Sequence, residues 1–222
     1  MNLLKRLTRG YSPKLRSRGM IIKRFADKIG LVYFGTVDQN EDDHDIIRGL
    51  TVSTTHQDSH FAVGSYDGYD ISLVDRFDIV VDHNRKTTEH NWLIMRFDLE
   101  RQEALPHIFL KPINSSADSY NKFFSAFHHL QPVNGIFQAQ HSSEFHNRYE
   151  VYTTSSRALE IEALFTPTVT NTIAARFWPH AIEILDNKLY VYTTESQLSE
   201  TLLETVLQTS LWLSQVIDET TE

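Results

Sequence analysis

The stretch Tyr66-Asp67-Gly68-Tyr69-Asp70-Ile71-Ser72-Leu73 holds a turn and the start of a strand. Asp-Gly tolerates the left-handed backbone angles of a tight turn. Beyond it Tyr69, Ile71 and Leu73 fall on one face and Asp70 and Ser72 on the other, the period-2 signature of a half-buried strand. Outward from this turn and strand the same grammar continues. The apolar run 31–34 and the β-branched stretch 46–54, which follows the acidic loop 38–45, read as strands upstream. Segments 77–81, 91–99 and 107–110 read as strands downstream, and Pro106 and Pro112 around the last of them predict an edge position. The connections are hairpin-length, so the sheet of this half is expected to be mainly antiparallel.

The second half adds helices. Tyr120, Phe123, Phe124, Phe127 and Leu130 fall at helical spacing over 119–130 and form a face suited to packing on a sheet. A strand at 149–154 precedes a helix through Leu159 and Leu164, with Ser155 or Ser156 as its cap. Thr166-Pro167 either closes that helix or opens the next with proline at its first position. Residues 182–192 form a hairpin around Asp186-Asn187, and Thr194 with Gln197 makes a capping box for a final helix. The repeated Val-Tyr-Thr-Thr at 151–154 and 191–194 is a shared grammar of strand end and helix start. The expected fold class is α+β: a mainly antiparallel sheet in the first half, helices packed on it, and a C-terminal β-α-β-hairpin-α unit. The expected domains are a basic arm over 1–24 and a single α+β domain over 25–222.

Phe145, Tyr149-Glu150-Val151-Tyr152, Ala163-Leu164-Phe165-Thr166-Pro167 and Asp186-Asn187-Lys188-Leu189-Tyr190 follow in order. Over about residues 145–191 the chain resembles an uncharacterised bacterial family known only as a domain of unknown function. The resemblance implies a strand, short helix, Thr-Pro, helix and hairpin in sequence, and a bacterial origin. Many family members look membrane-associated through added hydrophobic segments. The resemblance implies no catalytic residues.

Charge is divided unevenly along the chain. Lys5, Arg6, Arg9, Lys14, Arg16, Arg18, Lys23 and Arg24 all precede the first acid, Asp27. Removing those eight from the 21 Lys and Arg leaves 13 against 29 Asp and Glu, so residues 25–222 carry a formal −16. Leu3 and Leu7 would share a face of a short helix ended by Gly10 and Pro13, and with Leu4 they supply apolar groups beside the cations. A short amphipathic basic segment of this kind needs a surface to lie on. The expected partner is an anionic membrane surface or an acidic protein, docked reversibly by a non-enzymatic module. Nucleic acid ranks below these, because an acidic body repels a polyanion. The arm can also fold back on the acids at Glu195, Glu200 and Glu204 as a latch within the molecule.

The chain has no cysteine, which excludes disulfides, thiolate metal sites and cysteine nucleophiles. No apolar run is long enough to span a bilayer, and Lys5 and Arg6 interrupt the first leucines, so a cytoplasmic protein, peripheral at the inner face of the membrane, is expected. No dinucleotide, phosphate-loop or nucleophile-elbow motif is present, and no cofactor is expected. Among 11 histidines the densest group is His56, Asp58 and His60. On a helix His56 and His60 would share a face, and on a strand they would too because their separation is even, a geometry that permits a divalent metal and an alternative function as a metal-assisted hydrolase.

Overall fold

A computed structural model describes residues 13–35, 57–81, 87–113, 127–133, 140–154, 157–193 and 198–220. Helices α1 (Pro13–Ile29), α2 (Ser143–Arg148), α3 (Ala158–Leu164), α4 (Pro167–Phe177) and α5 (Glu200–Glu219) accompany nine strands. These are β1 (Val32–Tyr33), β2 (Gln57–Tyr66), β3 (Tyr69–Val81), β4 (Thr87–Asp98), β5 (Ile108–Pro112), β6 (Gln131–Pro132), β7 (Tyr149–Thr153), β8 (Ala181–Leu185) and β9 (Lys188–Thr193). All pair antiparallel in one sheet of order β1-β2-β3-β4-β9-β8-β5-β7-β6. The fold is α+β.

The turn expected at Asp67-Gly68 and the hairpin expected around Asp186-Asn187 form as read, while β2, which makes the first turn a hairpin, was not among the expected strands. Asp67 and Gly68 take φ of 51° and 87°, and Asp186 and Asn187 take 51° and 54°, the left-handed pair that a two-residue turn demands. Asn187 also ties down the 99–105 connection. Its side chain donates to the carbonyls of Arg101 and Glu103 and accepts from the Leu105 amide.

One sheet face carries Ile71, Leu73, Leu93, Met95, Ile108, Leu110, Ile182, Leu189 and Val191 into the main core with helix residues such as Ile22, Ile173, Phe177 and Leu207. The other face is buried too. Val74, Trp92, Ile94, Phe109, Ala181, Tyr190 and Tyr192 form a second apolar cluster there with Leu130. This explains why alternation in β4, β8 and β9 gives no polar stripe: both faces are inside.

Several local expectations are corrected. Strand β5 lies between β8 and β7 and not at an edge. Pro112 is tolerated because it is the last residue of the strand, where one missing amide ends the ladder rather than interrupting it. Helix α3 starts after Arg157, which makes no side-chain cap and instead clamps Glu160 one turn on. Helix α5 is capped by Ser199, whose hydroxyl accepts the Leu202 amide at 3.1 Å, and the Thr194–Gln197 box lies outside the described residues. Thr166 does cap α4, with Pro167 at its first position. The strand expected at 46–54 and residues 119–126 of the aromatic helix lie outside the described residues. Phe127 to Leu130 form a turn, closed by the Leu130 amide on the Phe127 carbonyl at 3.0 Å.

The largest revision concerns the arm. Pro13 opens α1, and α1 runs on across residue 24, where the boundary of the arm was expected; the short helix expected ahead of it lies outside the described residues. Ile22, Phe25 and Ala26 of α1 are fully buried. A cavity left there cannot refill, so Ile22→Ala should cost about 2–5 kcal/mol in urea denaturation. A loss below about 0.5 kcal/mol would mean that α1 is not integral to the core.

Candidate functional site

The cations expected to serve an anionic surface divide into two groups. Lys5, Arg6 and Arg9, with Leu3, Leu4 and Leu7, lie outside the described residues, and Lys14 and Arg16 stand in the first turn of α1. Arg18, Lys23 and Arg24 are engaged within the fold. Arg18 is buried and grips Asp75 of β3 with two bonds, Nε to Oδ2 at 3.0 Å and Nη2 to Oδ1 at 2.7 Å. It is therefore withdrawn from the docking set. Lys23 pairs with Asp27 at 2.6 Å. Arg24 lies 3.9 Å from Glu200 and Lys28 is 2.5 Å from Glu204. The equal offset of these last two pairs shows that α1 and α5 run in the same direction. It also realises, at Arg24, the expected attraction between the arm and the acids of the final helix.

The Arg18–Asp75 pair sits beside His60. A β-bulge between Ser59 and Ala62 inserts one residue into β2, and His60 takes φ of 56° within it. The bulge turns His60 off the face it would share with Asp58 and towards α1. There its Nδ1 lies 2.7 Å from the Tyr33 hydroxyl and its ring stacks on Tyr33. The contact is so close that a Cβ on Gly19 would come within 2.4 Å of the imidazole. Burial, reinforced by Arg18 and opposed by Asp75, lowers the His60 pKa, which favours the neutral ring.

Asp58 stays on the opposite face, where both carboxylate oxygens accept from Arg76 at 2.6 Å. The expected metal trio is thus not brought together: Asp58 and His60 part across the sheet, and His56 lies outside the described residues. Among the described residues no three His, Asp or Glu side chains converge to hold a metal ion.

The opposite face carries a polar chain that the sequence reading missed. Glu183 of β8, completely buried, accepts from Tyr192 Oη at 2.5 Å and contacts His107 Nε2 at 2.7 Å. His107 Nδ1 in turn lies 3.3 Å from Nε2 of His129, which is exposed. The edge of Phe127 packs on the His107 ring, with centroids 5.0 Å apart. Burial, with His107 and His128 adding to it, lowers the His129 pKa. The chain links an interior carboxylate to the surface and pins the 127–133 segment to the sheet. The available signal was Tyr190 and Tyr192 on the side of β9 that alternation assigns to solvent, and Glu183 is their neighbour on β8.

A shallow groove of about 550 Å³ runs between α4 and α5, lined by Arg176, Thr201, Glu204, Thr205 and Gln208. The Thr205 hydroxyl donates to the Thr201 carbonyl at 2.8 Å, and Arg176 stands over Trp212. No reactive group is aimed into the groove from these residues.

Two measurements test this geometry. Removing one partner of a buried pair strands the other charge, so Arg18→Ala should cost about 3–5 kcal/mol. Lys23→Ala, at a solvent-exposed pair, should cost at most about 1 kcal/mol. Burial pushes His180 down to about 4. Its ring stays neutral in the fold but binds a proton in the unfolded chain below about 6.5. Stability should therefore be unaffected above that pH and fall by up to about 1.4 kcal/mol per pH unit between it and 4. His180→Asn should flatten the decline in denaturation curves taken across that window.

No family model matches this chain, and no curated protein matches it. Among solved structures it is similar to the crystal structure of the mycobacterial trehalose monomycolate transport factor A, TtfA, with a TM-score of 0.61 at 13% identity. The likeness covers 90% of this chain and 93% of that one, and what the two share is the fold.

Proposed function

We propose that this chain is a non-enzymatic interaction module that docks reversibly on an anionic membrane surface through the cations at the start of its sequence. The observation that carries this reading is the division of the basic stretch. Arg18, Lys23 and Arg24 have acidic partners within the fold. Ahead of them, Lys5, Arg6, Arg9, Lys14 and Arg16 occur with no acid among residues 1–16. Each cation near an anionic bilayer contributes about 1 kcal/mol, so five support reversible attachment. The −16 carried by residues 25–222 orients the molecule, turning the basic end towards an anionic surface and the rest away. Leu3, Leu4 and Leu7 add apolar groups at the same end.

No helix among the described residues is long and apolar enough to cross a membrane. The transport factor of the same fold offers a precedent for this scaffold in transport. A metal-assisted hydrolase draws less support, because Asp58 and His60 face opposite sides of the sheet.

Co-sedimentation tests the reading with vesicles of phosphatidylcholine alone or mixed with phosphatidylglycerol. Truncation must stop at residue 12, because removal to residue 24 would cut away 12 of the 17 residues of α1. The full chain should bind only the anionic vesicles, lose at least about tenfold in affinity without residues 1–12, and weaken steeply with salt. Replacing Leu3, Leu4 and Leu7 by Ser should abolish vesicle binding while barely changing binding to an oligonucleotide. Equal binding to neutral and anionic vesicles would overturn the proposal.

A further inference from the structure

Two imidazole nitrogens face each other where the aromatic face of the sheet reaches the surface. His107, immediately ahead of β5, holds its Nδ1 3.3 Å from Nε2 of His129, in the turn that leads to β6. A tetrahedral ion with Zn–N bonds of about 2.0–2.1 Å keeps two ligating nitrogens roughly 3.3–3.4 Å apart. The observed separation matches that edge, and it is long for a hydrogen bond, which ordinarily spans about 2.7–3.2 Å.

The group behind His107 decides which nitrogen is free to ligate. Glu183 takes the Tyr192 hydroxyl on one carboxylate oxygen and His107 Nε2 on the other, at 2.5 Å and 2.7 Å. A carboxylate only accepts, so His107 carries its hydrogen on Nε2 and turns the Nδ1 lone pair towards His129. A carboxylate holding the far nitrogen of an imidazole is the arrangement that orients a ligating histidine and raises its basicity.

Both histidines are held from the backbone. The Thr153 hydroxyl donates to the His107 carbonyl at 2.9 Å. The Leu130 amide closes the turn around His129 on the Phe127 carbonyl at 3.0 Å, and the Val133 amide reaches the Val151 carbonyl at 2.8 Å. Phe127 packs edge-on against both imidazoles, with centroids 5.0 Å and 5.8 Å away, and forms an apolar wall beside the pair. His107 is buried and His129 exposed, so the nitrogens meet at a point that an ion from solvent can reach.

We propose that His107 Nδ1 and His129 Nε2 bind one divalent transition ion of the zinc class, with Glu183 as the positioning carboxylate. Binding requires His129 to carry its hydrogen on Nδ1 in place of Nε2, a change of tautomer that releases no net proton. A small rotation of this exposed ring aims both lone pairs at one point. Two nitrogen donors suit zinc, whereas magnesium and calcium take oxygen ligands. No third His, Asp or Glu among the described residues converges on the pair, so the other positions go to water. The ion cross-links β5 to the 127–133 segment, whose strand β6 is the outermost of the sheet. This site is separate from the basic segment and stands or falls independently of membrane docking.

Calorimetric titration of the full chain with zinc chloride, after treatment with a chelator and desalting, tests the site. Wild type should take up one ion per chain with a rise in melting temperature. His129→Ala removes an exposed side chain, so it should keep the wild-type circular dichroism spectrum while losing at least about tenfold in zinc affinity and the thermal shift. Glu183→Gln keeps both ligands and should weaken zinc about 10–100-fold. His146→Ala, at another histidine pair, should bind like wild type. In nitrogen-15 spectra, zinc should shift His107 Nδ1 and His129 Nε2 together. Equal zinc binding by wild type and His129→Ala would overturn the site, as would a wild-type chain that takes up no ion. A folded Glu183→Gln chain with wild-type affinity would overturn the role given to the carboxylate.

Discussion

Arg18 and Asp75 meet in the interior through two parallel hydrogen bonds, and the arrangement of the N-terminal half follows from that contact. A guanidinium and a carboxylate cannot be buried apart without a severe desolvation penalty, so once Asp75 faces inward on β3 it requires a cation in register with it. Arg18 supplies one, and α1 is thereby fixed along the sheet. The helix then approaches so closely that position 19 has room only for glycine against the His60 ring. Further along, Arg24 and Lys28 reach Glu200 and Glu204, so α5 lies beside α1 in the same direction. Electrostatics here sets position more than it adds stability, since the outer pairs are exposed and individually weak.

The bulge in β2 is the second determinant. By adding one residue it lets Asp58 serve Arg76 on one face while His60 meets Tyr33 on the other. A regular strand would have put both side chains on the same face, leaving α1 without its contact. The sheet has two buried faces of different character. One packs aliphatic side chains on helices, and the other holds aromatic rings around the chain from Glu183 through His107 to His129.

How much of this was legible in the sequence depended on whether the signal was local. The Asp67-Gly68 and Asp186-Asn187 turns, the Pro167 helix start and the antiparallel α+β class all rest on short-range backbone preferences, and they formed as read. The edge assignment of β5 failed because strand neighbours are chosen by tertiary packing, which Pro106 and Pro112 do not encode. The cap of α5, Ser199, was not singled out because several Ser and Thr residues precede the apolar face of that helix. The histidine cluster misled because a bulge has no clear signature when the left-handed residue is not glycine. Charge asymmetry was visible at once, but the engagement of Arg18 and Arg24 within the fold was not. That engagement depends on acids far away in sequence, Asp75 and Glu200.

The position of the last hairpin bears on how the molecule is made. Strands β8 and β9 occupy the middle of the sheet, joining β1-β2-β3-β4 on one side to β5-β7-β6 on the other. Each flanking group has an open edge until residues 181–193 arrive to close the gap. The two groups cannot join until residues 181–193 have been synthesised, and each carries an unpaired strand edge until then. Pairings of such long sequence separation close slowly and expose aggregation-prone edges meanwhile. That hairpin is the keystone of the sheet.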